Sequence, residues 1–374
     1  MLKRLIVFGF ILVWLLALPC LASDLTEEFN RYREGVPQEI REVLPDGLLS
    51  PDAEKAGEAA QKSLSVSYIL SLVKAALGTG LPSAKALLMQ NLALIVGMSV
   101  FRLLSENFGE SGISDGMRFC TKSLIVLSVL APQVEAARAA GEFLRRLCTL
   151  VNSMIPMVGV LLATGGNVTA AVSETSMLGI FIIFFENFCY ITLFPVLSGC
   201  AAFSAASAFS DRAGLDGISK GIKKTFTFLL GLMAVVLSAV MAGQTLLATK
   251  ADSVTARTAK FAAGSFIPVV GGTVGEALRT VAAGVEYLRS SVGIGAIIIV
   301  CIMLLPTLIS LILGRISLSL CSWCASFLGL SKEAAVLNDF TGFYGYLIAV
   351  CSICSVLVIY ALVLFVRISA AVGV

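Results

Sequence analysis

Long stretches without a charged residue dominate the chain from residue 147 onward. Four of them are long enough to cross a bilayer: Leu147–Ser173, Thr225–Thr249, Ser290–Gly314 and Phe340–Val366. A membrane-spanning helix needs about 20 consecutive apolar residues. The runs are continuous and do not alternate with polar residues, which favours helices over the strands of a membrane barrel. The pattern therefore predicts an all-α, polytopic helical membrane protein.

Three further stretches raise the predicted number of spans. Thr175–Ser210 carries a single charge, Glu186, whereas Ala86–Phe101 and Phe119–Gln133 are shorter. Counting all of them gives five to seven spans. Clusters of positive charge favour the cytoplasmic side, but an outside N-terminus followed by both short spans would place both clusters outside. The topology stays open at this point; the clusters are Arg138, Arg145, Arg146 and Lys220, Lys223, Lys224.

The first 85 residues differ from the rest of the chain. Residues 1–22 show basic Lys3 and Arg4, a short apolar core and small residues up to Ala22, the pattern of a signal peptide or an uncleaved anchor. Residues 23–85 are polar and predict a small extracytoplasmic helical segment, or alternatively a solvated spacer. Ser50 as N-cap and Pro51 at the first position predict a helix start within it. Residues 86–374 form the predicted multi-span domain.

Residues 252–293 predict an amphipathic interfacial or re-entrant helix hairpin. Pro268 interrupts a short apolar run, and Gly271 and Gly272 permit a sharp turn. Thr273 and Glu276 have the spacing of a capping box. The following residues place apolar side chains on one helical face, the pairs Glu276/Arg279 and Glu286/Arg289 on the other, and Gly293 at the predicted helix end.

Composition excludes several classes of function. The chain is 57% hydrophobic and only 14% charged, with a net charge of +3, so nothing predicts a nucleic-acid interface. It contains no histidine, the commonest general base and metal ligand. The glycine pattern and the lysine of a phosphate-binding loop are also missing. We predict that the protein is not an enzyme and that it holds no metal and no cofactor.

Two kinds of residue suggest alternative functions. Glu186 and Asn187 lie within an apolar run, and an ionisable residue inside a membrane is a candidate functional residue. The alternative function is accordingly a stand-alone secondary transporter that uses Glu186, although an interhelical polar clamp explains the same residue. A thiol oxidoreductase that uses the CxxC pairs Cys321/Cys324 and Cys351/Cys354 is a weaker alternative, because free cysteines also serve as small apolar residues.

The stretch from Asp252 to Gly293 resembles the signature region of the stage III sporulation protein AE family of endospore-forming bacteria. The segment Ile155–Ala171, the order of parts and the chain length resemble the same family. The matching positions in the signature are Asp252, Arg257, Thr258, Lys260, Phe261, Ile267, Pro268, Val269, Val270, Gly271, Gly272 and Gly293. From the residues themselves, Arg257 and Lys260 suit an anionic lipid or an acidic partner, or simply an interfacial anchor.

The resemblance implies a role rather than a reaction. Members of the family are multi-pass proteins of the mother-cell membrane that surrounds the forespore. They are implied subunits of a channel or secretion-like complex that links mother cell and forespore and supports the forespore after engulfment. The implied partners are the other stage III sporulation operon proteins, including an ATPase subunit, and the forespore-side stage II sporulation protein Q, besides the lipid bilayer.

Overall fold

The structure is a computed structural model. It describes residues 26–50, 52–63, 65–107, 112–165, 167–187 and 271–368. It also describes the run 234–240 and scattered positions from 199 to 250, and these are helical. The predicted signal peptide, ten of the 25 positions of the predicted span Thr225–Thr249 and the first part of the predicted hairpin lie outside the described residues.

Eight helices account for nearly all of the described chain. In order they are α1 (26–35), α2 (Gln38–Arg41), α3 (Ala53–Ser63), α4 (Val66–Asn107), α5 (Gly112–Thr164), α6 (Val168–Asn187), α7 (Gly271–Phe327) and α8 (Ser331–Arg367).

Four of these helices are long and apolar enough to cross a membrane. The corresponding segments are Val66–Leu104, Lys122–Thr164, Glu286–Phe327 and Ser331–Arg367, and α6 adds the shorter apolar segment Val168–Ile182. No strand occurs in the part of the chain that the structure describes. The prediction of an all-α polytopic membrane protein is confirmed.

Several predicted boundaries are wrong. Leu147–Ser173 is not one span, because α5 ends at Thr164 and α6 starts at Val168, with the Asn167 N–H donating to the Leu162 carbonyl (2.9 Å). Phe119–Gln133 and the apolar residues after 146 are not separate elements, since both belong to α5. The apolar run Ala86–Phe101 likewise belongs to a helix that begins at Val66. Hydropathy detects apolar stretches, whereas helix ends depend on local backbone hydrogen bonds.

Two predicted helix signals are also corrected. α7 passes through Gly293 without a break, because that glycine packs closely against Phe365 and Val366 of α8 and does not cap a helix. Gly271 and Gly272 are already helical, so the helix begins before Thr273. In the N-terminal region α3 starts at Ala53, two positions after the predicted Pro51, with Asp52 Oδ1 accepting from the Glu54 N–H (3.1 Å).

α7 and α8 form an antiparallel hairpin. Its turn has the hydrogen bonds of a Schellman motif, from the Gly329 N–H to Ser326 O and from the Leu330 N–H to Ala325 O. Gly329 has φ +75°, a conformation that favours glycine. Further along, a Cβ on Gly314 would come within 2.6 Å of the Tyr344 ring, so glycine is what allows the close approach.

The remaining long helices pack around this hairpin. Ser317 and Cys321 of α7 donate to the Ala84 and Leu88 carbonyls of α4, at 2.9 and 3.7 Å. From the first bond to the second, the donor moves four residues forward in α7 and the acceptor four residues forward in α4, so the two helices run parallel. α5 packs against α4, α6, α7 and α8, and one continuous apolar core joins all of these helices.

Candidate functional site

The residues singled out from the sequence lie mainly at the edges of the described chain. Asp252, Arg257, Lys260 and Pro268 fall outside the described residues. Gly271, Gly272 and Glu276 belong to the first described turns of α7, where only the backbone is described. Glu186 and Asn187 are the last two residues of the described part of α6. No contact between any of these side chains is described, so their grouping into one site stays a prediction.

Buried polar side chains connect the long helices instead. Asn91 of α4 donates to its own helix at the Leu87 carbonyl (2.9 Å) and accepts from the Ser128 hydroxyl of α5 (2.8 Å). Gln133 of α5 donates to the Phe340 carbonyl of α8 (3.3 Å). In a membrane such bonds contribute about 0.6 kcal/mol each, so they define register more than they hold the bundle together.

Arg289 is the most unusual of the buried groups. Its side chain is 1% exposed, and its nearest described carboxylate oxygen is Glu286 Oε1, 3.7 Å from Nη2. Nε and Nη1 have no hydrogen-bond partner among the described residues. Burying a charged group without full pairing costs several kcal/mol. Arg289 is therefore a strained position at the point where the charged start of α7 enters the bundle.

The sequence interpretation placed Arg289 on the polar face of the helix, and that is wrong. Arg289 follows Val285 by four residues and precedes Val292 and Ala296 by three and seven. Positions with this spacing share one helical face. Val292 and Ala296 are buried in the core. The spacing could have revealed the burial, but the i,i+3 pairing with Glu286 suggested the solvent side.

The polar N-terminal segment, residues 26–63, packs against the bundle. Gly35 lies on Ser153 of α5, Leu48 lies on Gly295 of α7, and the Tyr68 hydroxyl donates to the Val43 carbonyl (2.7 Å). Phe29 and Tyr32 form an edge-to-face pair with ring centroids 6.0 Å apart. Burial raises the pKa of Tyr32, so its hydroxyl stays neutral. The segment is thus an integral part of the fold.

Charged residues line the outer face of α5 in the middle of the helix. This charged stripe consists of Glu135, Arg138, Glu142, Arg145 and Arg146, of which the first four are exposed. Arg146 pairs with Glu39 of the N-terminal segment at 2.6 Å. The opposite face of the same turns is buried, as Phe143, Leu144 and Leu147 show. Three arginines facing hydrocarbon would cost roughly 7–10 kcal/mol, so the stripe cannot face lipid tails.

Three of the four cysteines in the CxxC pairs are packed inside the bundle. Cys321, Cys351 and Cys354 are buried in the bundle, and the Cys321 thiol donates to a carbonyl of the neighbouring helix. None of the seven cysteines among the described residues takes part in a disulfide. Within the same residues no group of three or more potential metal-ligating side chains is found. The thiol oxidoreductase alternative thus receives no support from these positions.

The chain resembles known proteins along most of its length. The family model for stage III sporulation protein AE matches residues 54–370. Stage III sporulation protein AE of Bacillus subtilis (strain 168) is 24% identical over 214 residues, which cover 56% of this chain and 53% of that protein. The chain therefore matches about half the length of this curated relative. No solved structure matches it.

Proposed function

Because the chain belongs to the stage III sporulation protein AE family and has a role in sporulation, we propose that it is an integral membrane subunit of a sporulation-specific channel complex. This complex, similar to a secretion apparatus, links mother cell and forespore and supports forespore development after engulfment. The proposed location is the mother-cell membrane that surrounds the forespore. The observation that carries the proposal is the family match, which includes all four long apolar helices.

The proposed role is structural rather than catalytic. Among the described residues the polar groups tie helices together or line the surface of α5, and they form no constellation of nucleophile, base and orienting group. Energy for any transport would come from a partner. The proposed partners are the other stage III sporulation operon proteins, including an ATPase subunit, and the forespore-side stage II sporulation protein Q.

Deletion of the gene in its own host tests the proposal. We expect cells that complete engulfment but fail to finish forespore development, and rescue by a copy supplied from a mother-cell promoter. Supplying the copy only in the forespore should fail to rescue. Normal spore yield in the deletion strain would refute the proposed function.

The transporter alternative depends on Glu186 and makes a different prediction. A Glu186→Gln variant should lose function while remaining in the membrane and in its complex if the carboxylate carries an ion. A subunit that serves as part of a channel wall tolerates this change. Spore yield and co-purification of partners, measured on the same strain, separate the two functions.

A further inference from the structure

We propose that a water-filled path runs along the charged stripe of α5 at the depth where the α7–α8 hairpin crosses the membrane. Water and small hydrophilic solutes would occupy it. The inference rests on the proposed function, which it deepens by assigning a lining to the channel. Its basis is the depth of the stripe, the side of the bundle on which it lies and the polar residues beside it.

Interhelical contacts fix the direction of α5. Cys321 of α7 donates to the Leu88 carbonyl of α4, so Asn91, three residues after Leu88, lies at the depth of Cys324. Ser128 of α5 donates to Asn91 and therefore lies at the same depth. Gln133 bonds the Phe340 carbonyl, which the hairpin places near Leu318 of α7. From residue 128 to residue 133 of α5, the matching level in α7 moves from Cys324 back to Leu318. α5 runs antiparallel to α7 and parallel to α8.

The same contacts fix the depth of the charged stripe. Arg145 lies twelve residues after Gln133, or about 18 Å along the helix axis. The matching position in α8 is twelve residues after Phe340, near the middle of its charge-free run Phe340–Val366. If the hairpin spans the membrane, Arg145 and Arg146 lie near mid-depth. A side chain there cannot reach either headgroup layer, because the hydrocarbon core is about 30 Å thick.

Other polar residues lie at this depth. Glu39 of the N-terminal segment pairs with Arg146 and so lies at the level of the stripe. Lys74 of α4 is exposed and lies ten residues before Ala84, which accepts a hydrogen bond from Ser317 of α7. Because α4 runs parallel to α7, Lys74 lies ten residues before the level of Ser317, again near mid-depth. Several elements thus present charges at one level of the bundle.

Near the same level the hairpin exposes apolar residues and one arginine, Arg315. Ile312 of α7 is 41% exposed and Val356 of α8 is 62% exposed. Such side chains suit lipid, whereas the charged stripe requires water. The stripe holds two carboxylates and three arginines, and Arg146 is paired with Glu39, so the charges that line the path nearly offset one another. The path should therefore admit small ions of either sign, rather than select one.

Single-cysteine labelling in membrane vesicles tests this inference. Cysteines replace Arg138, Glu142 or Arg145 in a cysteine-free chain that still supports sporulation, and Ile312 or Val356 in the matched controls. Labelling uses one anionic and one cationic membrane-impermeant methanethiosulfonate. We expect the stripe positions to react at least tenfold faster than the controls with both reagents.

Two results would overturn the path. Equally slow labelling at the stripe and at the controls would mean that protein or lipid covers α5. Equally fast labelling at both would mean that this level lies outside the bilayer. If the cysteine-free chain is inactive, the same substitutions in the native chain are compared with the unsubstituted parent. Labelling needs no sporulation, so its outcome is independent of the deletion test of the proposed function.

Discussion

The α7–α8 hairpin and helix α5 occupy the same depth of the bundle but differ in what they show to their surroundings. At this depth the hairpin carries one charge, Arg315 of α7, whereas α5 carries five charges within twelve residues. Both contain windows apolar enough for a span. The average hydropathy of a helix therefore does not determine what surrounds it. A helix with a buried apolar face and a charged outer face needs water or protein on that outer face.

The two regions are also held together differently. The hairpin depends on close contact at Gly293 and Gly314, where α8 side chains occupy the space of a missing Cβ. α5 is joined to α4, α8 and the N-terminal segment by hydrogen bonds and one ion pair. Tight apolar packing should tolerate change least, and exposed polar ties should tolerate it most. Four experiments on variants test these differences.

The largest effect is expected at Arg289, and it is a gain. Arg289→Met removes a buried charge whose nitrogens lack full pairing and keeps an apolar side chain of similar length. We expect the free energy of unfolding in detergent to rise by about 1–4 kcal/mol. Arg315→Met is the matched control, because Arg315 is an exposed arginine on the same helix, and it should change little. A loss of stability in Arg289→Met would show that Arg289 is paired.

A loss of similar size is expected at Gly314. Gly314→Ala places a Cβ 2.6 Å from the Tyr344 ring, and the buried ring must move. Such overpacking costs about 1–3 kcal/mol. Gly284→Ala on the same helix meets no atom within 4 Å and should stabilise by about 0.5–1 kcal/mol. Thermal unfolding of both variants measures the two changes in stability. Equal changes in Gly314→Ala and Gly284→Ala would contradict the close contact between Gly314 and Tyr344.

A smaller effect is expected between α4 and α5. In a double-mutant cycle, Asn91→Leu and Ser128→Ala should show a coupling of about 0.6 kcal/mol, with about 1.7 kcal/mol as the upper end. Ser123→Ala is the control, because the Ser123 hydroxyl bonds only its own helix at Phe119. A coupling of zero would contradict the hydrogen bond between Asn91 and Ser128.

The smallest effect is expected at the surface ion pair. Glu39→Gln should reduce the free energy of unfolding by about 0.2–1 kcal/mol, because both partners are partly exposed. The difference should vanish in about 1 M salt, where the Debye length is near 3 Å. The exposed residue Glu42, which has no ion pair in the described part of the chain, provides the control Glu42→Gln. An effect as large as that of Gly314→Ala would overturn the ranking.

The class of fold was predictable from the sequence because it depends on long charge-free runs. The runs in α7 and α8 were located correctly within continuous helices. The charge-free run Leu147–Ser173 conceals the end of α5 at Thr164, whereas Gly165, Gly166 and Asn167 are turn-forming residues and indicate a turn between two spans, which the structure confirms. The continuity through Gly293 was missed. A glycine can end a helix or admit a neighbouring side chain, and only the contact with Phe365 and Val366 distinguishes these cases.

The candidate site was less predictable. Glu186 is a candidate because it is a charge within an apolar run, whereas the signature residues are candidates through the family resemblance and the predicted turn and capping box; their roles stay predictions. Arg289 and the charged stripe depend on which face of each helix meets the core, and that depends on interhelical register. Gln133 bonding the Phe340 carbonyl sets this register across 207 positions of the chain. No local pattern in the sequence encodes a contact of that kind.

The water-filled path along α5 is tested most directly by comparing the environments of two side chains at nearly the same depth. Spin labels at positions 145 and 356, in place of Arg145 and Val356, whose levels differ by about 6 Å, would be measured by electron paramagnetic resonance in lipid vesicles. We expect a water-soluble nickel complex to collide more often with the label on α5, and oxygen to collide more often with the label on α8. The same preference for oxygen at both positions would contradict it.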